Sequence, residues 1–162
     1  MSFLFKKVCI ASDHAGFDLK EKIKDFLIDK YVSIIDLGPF ENKSVDYPDY
    51  AKKLANRVKA KKSDVGILVC GSGTGMAISA NKIKNIRAAV CYNQKSTRLS
   101  RQHNNANIIA LGARLTKKSS RLQFADPASS CLHMNLGNIA FLNLGNIAFQ
   151  SLHFKIAYVV SC

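Results

Sequence analysis

The sequence has no C-x-x-C pair, no run of roughly 18 apolar residues, and no basic block interleaved with aromatics. Each absence excludes something. The five cysteines, Cys9, Cys70, Cys91, Cys131 and Cys162, are odd in number and widely spaced, which argues against a disulfide framework and against a structural zinc site. Without a long apolar run there is no candidate membrane span, and the apolar stretch within Met1 to Lys7 is too short for a signal peptide. A cytoplasmic location is the expectation. Acidic residues are also scarce: 11 Asp and Glu stand against 24 Lys and Arg, a formal net charge of +13. Such an excess favours anionic partners, whether nucleic acid, a membrane surface or a phosphorylated substrate. The lysines fall singly and in pairs along predicted helices, so solvated helix faces account for most of them. Neither nucleic acid nor a membrane is expected as a partner.

What is present centres on Val65 to Ile78. The apolar run Val65-Gly66-Ile67-Leu68-Val69 ends at Cys70, and glycine then occupies every second position, Gly71, Gly73 and Gly75. A short apolar run bounded in this way suits a strand buried on both faces. Strand, glycine turn and helix together place backbone N–H groups at a helix N-terminus, where they hold an anion. A thiol at that junction faces the positive helix end, which suits it as a base or nucleophile. The same residues also fit a plainer role, with Cys70 as a small core residue and the glycines as a tight turn.

The rest of the chain alternates strands with helices. Lys7–Ala11 is predicted as a strand, Phe17–Asp29 as a helix with Phe17, Leu19, Ile23, Phe26 and Leu27 at helical spacing, and Val32–Leu37 as a second strand. Asp49–Lys62 follows as an amphipathic helix, and the central strand leads into a helix reaching about Lys84. Arg87–Cys91, a helix from Asn93 to about His103, and Ile108–Leu111 complete the pattern. Alternation of this kind implies right-handed βαβ crossovers and a five-stranded parallel, Rossmann-like sheet covered on both faces, a three-layer α/β/α sandwich. In a parallel sheet the segments after the strands emerge on one edge, so Asp13, His14, Cys70 to Gly75, Asn93 and Arg114 are expected to converge there. His103 and Asn104 lie at the far end of a helix and more naturally reach a neighbouring subunit's crevice, as in a dimer with shared sites. Taken singly these residues have ordinary explanations too: His14 as a helix cap, His103 as a surface helix end, Asp46 as a loop turn. A nucleotide-binding Rossmann reading is disfavoured, because the glycine loop follows the third strand and lacks the expected spacing and ribose-binding acid.

Together the segments are more specific. Ser12-Asp13-His14-Ala15-Gly16, Asp46-Tyr47-Pro48, Cys70-Gly71-Ser72-Gly73-Thr74-Gly75, Ala80-Asn81-Lys82 and Leu99-Ser100-Arg101-Gln102-His103-Asn104 occur in this order. From about Lys7 to Leu115 the chain resembles the type B ribose-5-phosphate isomerases, a family shared with galactose-6-phosphate isomerases. The resemblance implies a homodimer or dimer of dimers, no metal or organic cofactor, and interconversion of an aldose phosphate and its ketose through a cis-enediolate. It assigns Cys70 as the base moving the proton between C1 and C2, since Met76 stands where some relatives carry a glutamate. Ser72 assists proton movement at the sugar oxygens, the N–H groups of Gly71, Gly73, Thr74 and Gly75 stabilise the enediolate, and His103 opens the furanose ring. Asp13, His14, Tyr47 and Asn104 hold the sugar, and Arg114 matches one phosphate-binding arginine. The His103 motif favours the pentose over the hexose phosphate. The alternatives are a hexose-6-phosphate isomerase and a catalytically impaired phosphosugar-binding relative.

Beyond Leu115 the resemblance stops. The later phosphate-binding arginines of the family have no counterpart, and the surroundings of Arg121 do not match. Residues 127–154 contain no Asp, Glu, Lys or Arg, and Asn-Leu-Gly-Asn-Ile-Ala-Phe occurs twice, at 135–141 and 143–149. One short direct repeat is too small and solitary for a solenoid. The chain is therefore divided into an isomerase core, 1–115, and a divergent tail, 116–162, expected to be a C-terminus replaced by a frame shift or rearrangement.

Overall fold

The structure, a computed structural model, describes residues 7–28 and 33–115. The tail, with its repeat and Arg121, lies outside the described residues, as do the ends expected at Asp29 and Val32. In chain order the elements are β1 (Lys7–Ser12), a 3-10 turn (His14–Gly16), α1 (Phe17–Ile28), β2 (Ser33–Asp36), α2 (Tyr47–Lys59), β3 (Val65–Cys70), α3 (Thr74–Asn81), β4 (Ala88–Val90), α4 (Gln94–Asn104) and β5 (Ile108–Gly112). The five strands form one parallel sheet in the order β2-β1-β3-β5-β4.

The alternation of side chains along each strand separates two apolar layers. Val8, Ile10, Val65, Ile67 and Val69 face α1, where Ile23, Phe26 and Leu27 meet them. Cys9, Ala11, Leu68 and Cys70 face the other way, onto Leu54, Ala55 and Val58 of α2 and Met76, Ala77 and Ala80 of α3. Burying each of the larger aliphatic or aromatic side chains contributes about 1.5–3 kcal/mol, and both faces of β3 are covered, so every residue from Val65 to Cys70 is buried. This is why β3 reads as an unbroken apolar run rather than an alternation.

Two element ends differ from the sequence expectation. Helix α2 starts at Tyr47, two residues earlier than Asp49, because Pro48 falls in its first turn, where a missing N–H costs nothing. Helix α3 stops at Asn81 rather than near Lys84. The Asn81 side chain leaves the helix face and exchanges hydrogen bonds with the backbone of Ala88, donating to its carbonyl at 2.8 Å and accepting its N–H at 2.7 Å.

The order of the strands decides where a ligand can sit. From β1 the chain turns outward to β2, and from β3 it turns the opposite way to β4, so α1 and α3 leave adjacent strands on opposite faces of the sheet. The carboxyl ends of β1 and β3 therefore flank a crevice at the topological switch point.

Candidate active site

The crevice is built by three loops laced together at the carboxyl edge of the sheet. After β1, the Asp13 N–H donates to the Val69 carbonyl at 3.0 Å. After β5, the Ala113 N–H donates to the Cys70 carbonyl at 2.8 Å and the Arg114 N–H to the Gly71 carbonyl at 3.0 Å. The loop after β3 is thus gripped on both sides. Close packing fixes it further: a β-carbon on Gly16 would stand 2.4 Å from the Val69 carbonyl oxygen.

Cys70 ends β3 with its side chain buried on the α2–α3 face. Its sulfur accepts the Gly73 N–H at 3.0 Å. Gly73 has φ +82°, the left-handed region that side chains avoid, and this conformation turns its N–H back onto the sulfur. The other described cysteines behave differently. The Cys9 thiol donates to the Val65 carbonyl and the Cys91 thiol to the Ala89 carbonyl. Burial pushes Cys9 up to about 11, against the opposing pull of Ser63 and Arg57, and burial raises Cys91 as well. Those two are core thiols. Cys70 differs in having a backbone N–H, that of Gly73 at the head of α3, directed at its sulfur.

Around Cys70 stand the other residues of the glycine loop. The exposed Ser72 hydroxyl accepts the Thr74 N–H at 3.3 Å. The Gly75 and Met76 N–H groups, in the first turn of α3, have no carbonyl to bond within the helix and point out of its positive end. The Arg114 guanidinium lies over Gly71, where a β-carbon would be 3.3 Å from Nη1. The Tyr47 ring packs on Gly75, where a β-carbon would be 3.0 Å from Cε2. Asp13 is buried, and its Oδ1 accepts the Gly16 N–H at 2.8 Å. Asp13, and not His14, therefore caps the turn that leads into α1, and His14 is exposed on it. Asn93 is spent locally in a capping box with Ser96 at the start of α4.

His103 and Asn104 do not join this group. They end α4 at the opposite edge of the sheet, just before Ile108, whereas Cys70 pairs with Gly112 at the far end of β5. The length of β5 alone separates the two places by about 13 Å. Both residues are exposed.

A profile of the Ribose/Galactose Isomerase family matches residues 8–127. The chain belongs to that family. The match covers every described element from β1 to β5 and reaches beyond Leu115. Ribose-5-phosphate isomerase B of Escherichia coli is 44% identical over 110 residues, 68% of this chain and 74% of that protein. Among solved structures, ribose-5-phosphate isomerase B of Clostridium thermocellum superposes with a TM-score of 0.67 at 51% identity, over 67% of this chain and 74% of that one. The Mycoplasma genitalium enzyme, solved with bound ribulose 5-phosphate, gives 0.64 at 42%, over 67% and 73%. The chain is a sugar-phosphate isomerase with the Rossmann-like α/β fold expected from its alternating strands and helices.

Within this isomerase, sequence reasoning missed two features. Ser12 is fully buried beside the crevice, and its hydroxyl has no partner among the described residues. Lys20, expected on a solvated helix face, is wholly enclosed. Only a polar residue at a strand end and a lysine among the apolar positions of a helix hinted at either. No described helix is long and apolar enough to cross a membrane.

Proposed function

We propose that the chain interconverts ribose 5-phosphate and ribulose 5-phosphate, with Cys70 as the base. The observation that carries the reading is the Gly73 N–H aimed at the Cys70 sulfur, at the head of a helix and inside the crevice at the switch point. The open-chain aldose lies with C1 and C2 over Cys70. The thiolate takes the proton from C2, the electron pair moves into the C1–C2 bond, and charge develops on O1. Backbone N–H groups of the Gly71–Gly75 loop receive that charge, the kind of preorganised stabilisation that dominates many such reactions. Ser72 passes a proton between O2 and O1, and Cys70 returns its proton to C1, giving the ketose. Every proton removed is restored, so the step needs no co-reactant. Burial of Cys70 keeps water from the enediolate.

Asp13, His14 and Tyr47 hold the sugar hydroxyls, and Arg114 pairs with the phosphate, the role a guanidinium performs as a two-pronged donor. His103 opens the furanose ring by taking the O1 proton and delivering a proton to the ring oxygen, a task suited to imidazole. Asn104 steadies the same end of the sugar. Since both residues lie at the opposite edge of their own sheet, they act on the crevice of a second copy, in a homodimer or dimer of dimers with shared sites. The core is taken as residues 1–115, with 116–162 as a separate tail. The three described cysteines are free thiols, which suits a reducing cytoplasm.

The experiment is turnover of ribose 5-phosphate by the purified full chain, alongside galactose 6-phosphate and allose 6-phosphate. Pentose turnover that Cys70→Ala abolishes supports the reading. Preference for a hexose phosphate, or binding without turnover, would refute it.

A further inference from the structure

Lys20 is the largest fully buried side chain of the described residues, and its ammonium is enclosed by acceptors. Nζ donates to Asp36 Oδ1 at 3.1 Å, to Asp36 Oδ2 at 2.9 Å and to the Pro39 carbonyl at 2.6 Å, and pairs with Glu21 Oε1 at 2.9 Å. The rings of Phe17 and Phe40 lie 5.1 and 5.6 Å away, within cation–π range. Lys24 reaches the same Asp36 carboxylate at 3.1 Å. Enclosing charges in this way is a weak source of stability, because desolvation offsets the attraction. What the cluster does supply is position.

The Asp36–Phe40 turn is what it positions. Asp36 Oδ1 accepts the Gly38 N–H at 2.8 Å, closing the turn on itself. The Gly38 carbonyl accepts the Ser12 N–H at 3.0 Å, one residue before Asp13. On its other side the turn packs on α2: a β-carbon on Gly38 would stand 3.0 Å from Tyr50 Cε1, one helical turn after Tyr47. Lys53 of α2 donates to the Leu37 carbonyl at 3.0 Å. The turn therefore touches both segments that carry Asp13 and Tyr47, and neither contact involves the Cys70 loop.

We propose that Lys20 is a positioning residue for the sugar-binding side of the crevice. Through Asp36 and Pro39 it sets the Asp36–Phe40 turn, and the turn sets Asp13 and Tyr47. The inference rests on the sugar-binding roles given to those two residues in the preceding subsection. Cys70 and Gly71 are also held from the other side, by the Ala113 and Arg114 N–H groups of the β5 loop, a support the turn does not touch. Lys20 thus governs substrate binding more than the chemical step, whose loop keeps its β5 support.

The test compares Lys20→Met, Asp36→Asn and Glu21→Gln in the full chain, with kinetics on ribose 5-phosphate expressed per folded protein and Kd measured by titration calorimetry. Glu21 touches Lys20 but not the turn, so its variant is the control. Lys20→Met and Asp36→Asn are expected to raise KM and Kd about tenfold with kcat within about twofold, the signature of lost uniform binding. Glu21→Gln is expected to change neither. A fall in kcat at unchanged KM, an equal effect of Glu21→Gln, or failure of both main variants to fold would overturn the inference, marking the cluster as a staple of the fold. Binding that shifts as expected in a wild-type chain without turnover would defeat the isomerase reading alone. Turnover with an unshifted KM would defeat this inference alone. A wild-type chain that neither binds nor converts the sugar would defeat both.

Discussion

The Gly73 N–H lies 3.0 Å from the Cys70 sulfur and donates to it across the turn between β3 and α3. That contact joins the proposed base to the positive end of a helix, and it depends on a backbone conformation that only glycine adopts without strain.

Replacing Cys70 with alanine removes the proposed base and leaves the loop. Turnover of ribose 5-phosphate is expected to fall about a thousandfold, within the range for loss of a general acid–base group. Binding of an acyclic hydroxamate shaped like the enediolate should change little. Parallel kinetics and calorimetry check this, and an equal loss in both would point to a structural role for the thiol.

Gly73→Ala forces a β-carbon into the left-handed region, 3.1 Å from the Ala110 carbonyl oxygen. Denaturant melts should show a loss of about 1–2 kcal/mol from the strained conformation alone. Because the N–H is also displaced from the sulfur, kcat should fall by more than about tenfold. Unchanged kcat in a destabilised protein would separate the loop from the chemistry.

Thiol reactivity should follow the three environments. With Cys9 held near 11 by burial and Cys91 also raised, iodoacetamide at neutral pH should label Cys70 before either. Peptide mapping by mass spectrometry gives the order directly. Earlier labelling of Cys9 or Cys91 would contradict the assignment.

A shared site predicts complementation. Cys70→Ala and His103→Ala are each expected to be nearly inactive. Mixed and allowed to exchange subunits, they should recover about a quarter of wild-type activity, since half the dimers are hybrids and each hybrid restores one intact site. No recovery despite proven exchange would place His103 outside the reaction.

The Asp36 carboxyl sets an acid dependence. Burial alone would raise it, but the Gly38 N–H and the Lys20 and Lys24 ammoniums together hold it below its ordinary value. A carboxyl lowered on folding contributes stability that is fully present above the ordinary carboxylate range, near pH 4. That contribution is lost as pH falls through the native value. Stability against pH should therefore drop less steeply on the acid side in Asp36→Asn than in wild type, with the difference between them shrinking below about pH 4. Parallel curves would show that Asp36 titrates alike in both states.

Much of this was readable from local pattern. The apolar run before Cys70, the alternating glycines and the helical spacing of Ile23, Phe26 and Leu27 each follow from interactions among near neighbours in the chain, and periodicity records such interactions. Five motifs in register then pointed to the family. Asp13 was legible as polar and placed at a strand end, but not that its carboxylate would be half spent on the Gly16 N–H. Lys20 stood among the apolar positions of its helix, between Phe17 and Ile23, but nothing local said that acceptors would enclose it.

By itself the sequence determined the alternation of strands and helices, the parallel sheet that alternation requires, and the thiol and glycine loop where β3 meets α3. Only the tertiary structure decided the order β2-β1-β3-β5-β4, the enclosure of Lys20 against Asp36 and Pro39, and the packing of Tyr47 on Gly75. The physical reason is range. Backbone propensity and side-chain period act over a few residues, whereas these contacts join segments tens of residues apart, and nothing local in a sequence encodes which strand edge or which carbonyl a distant side chain will meet.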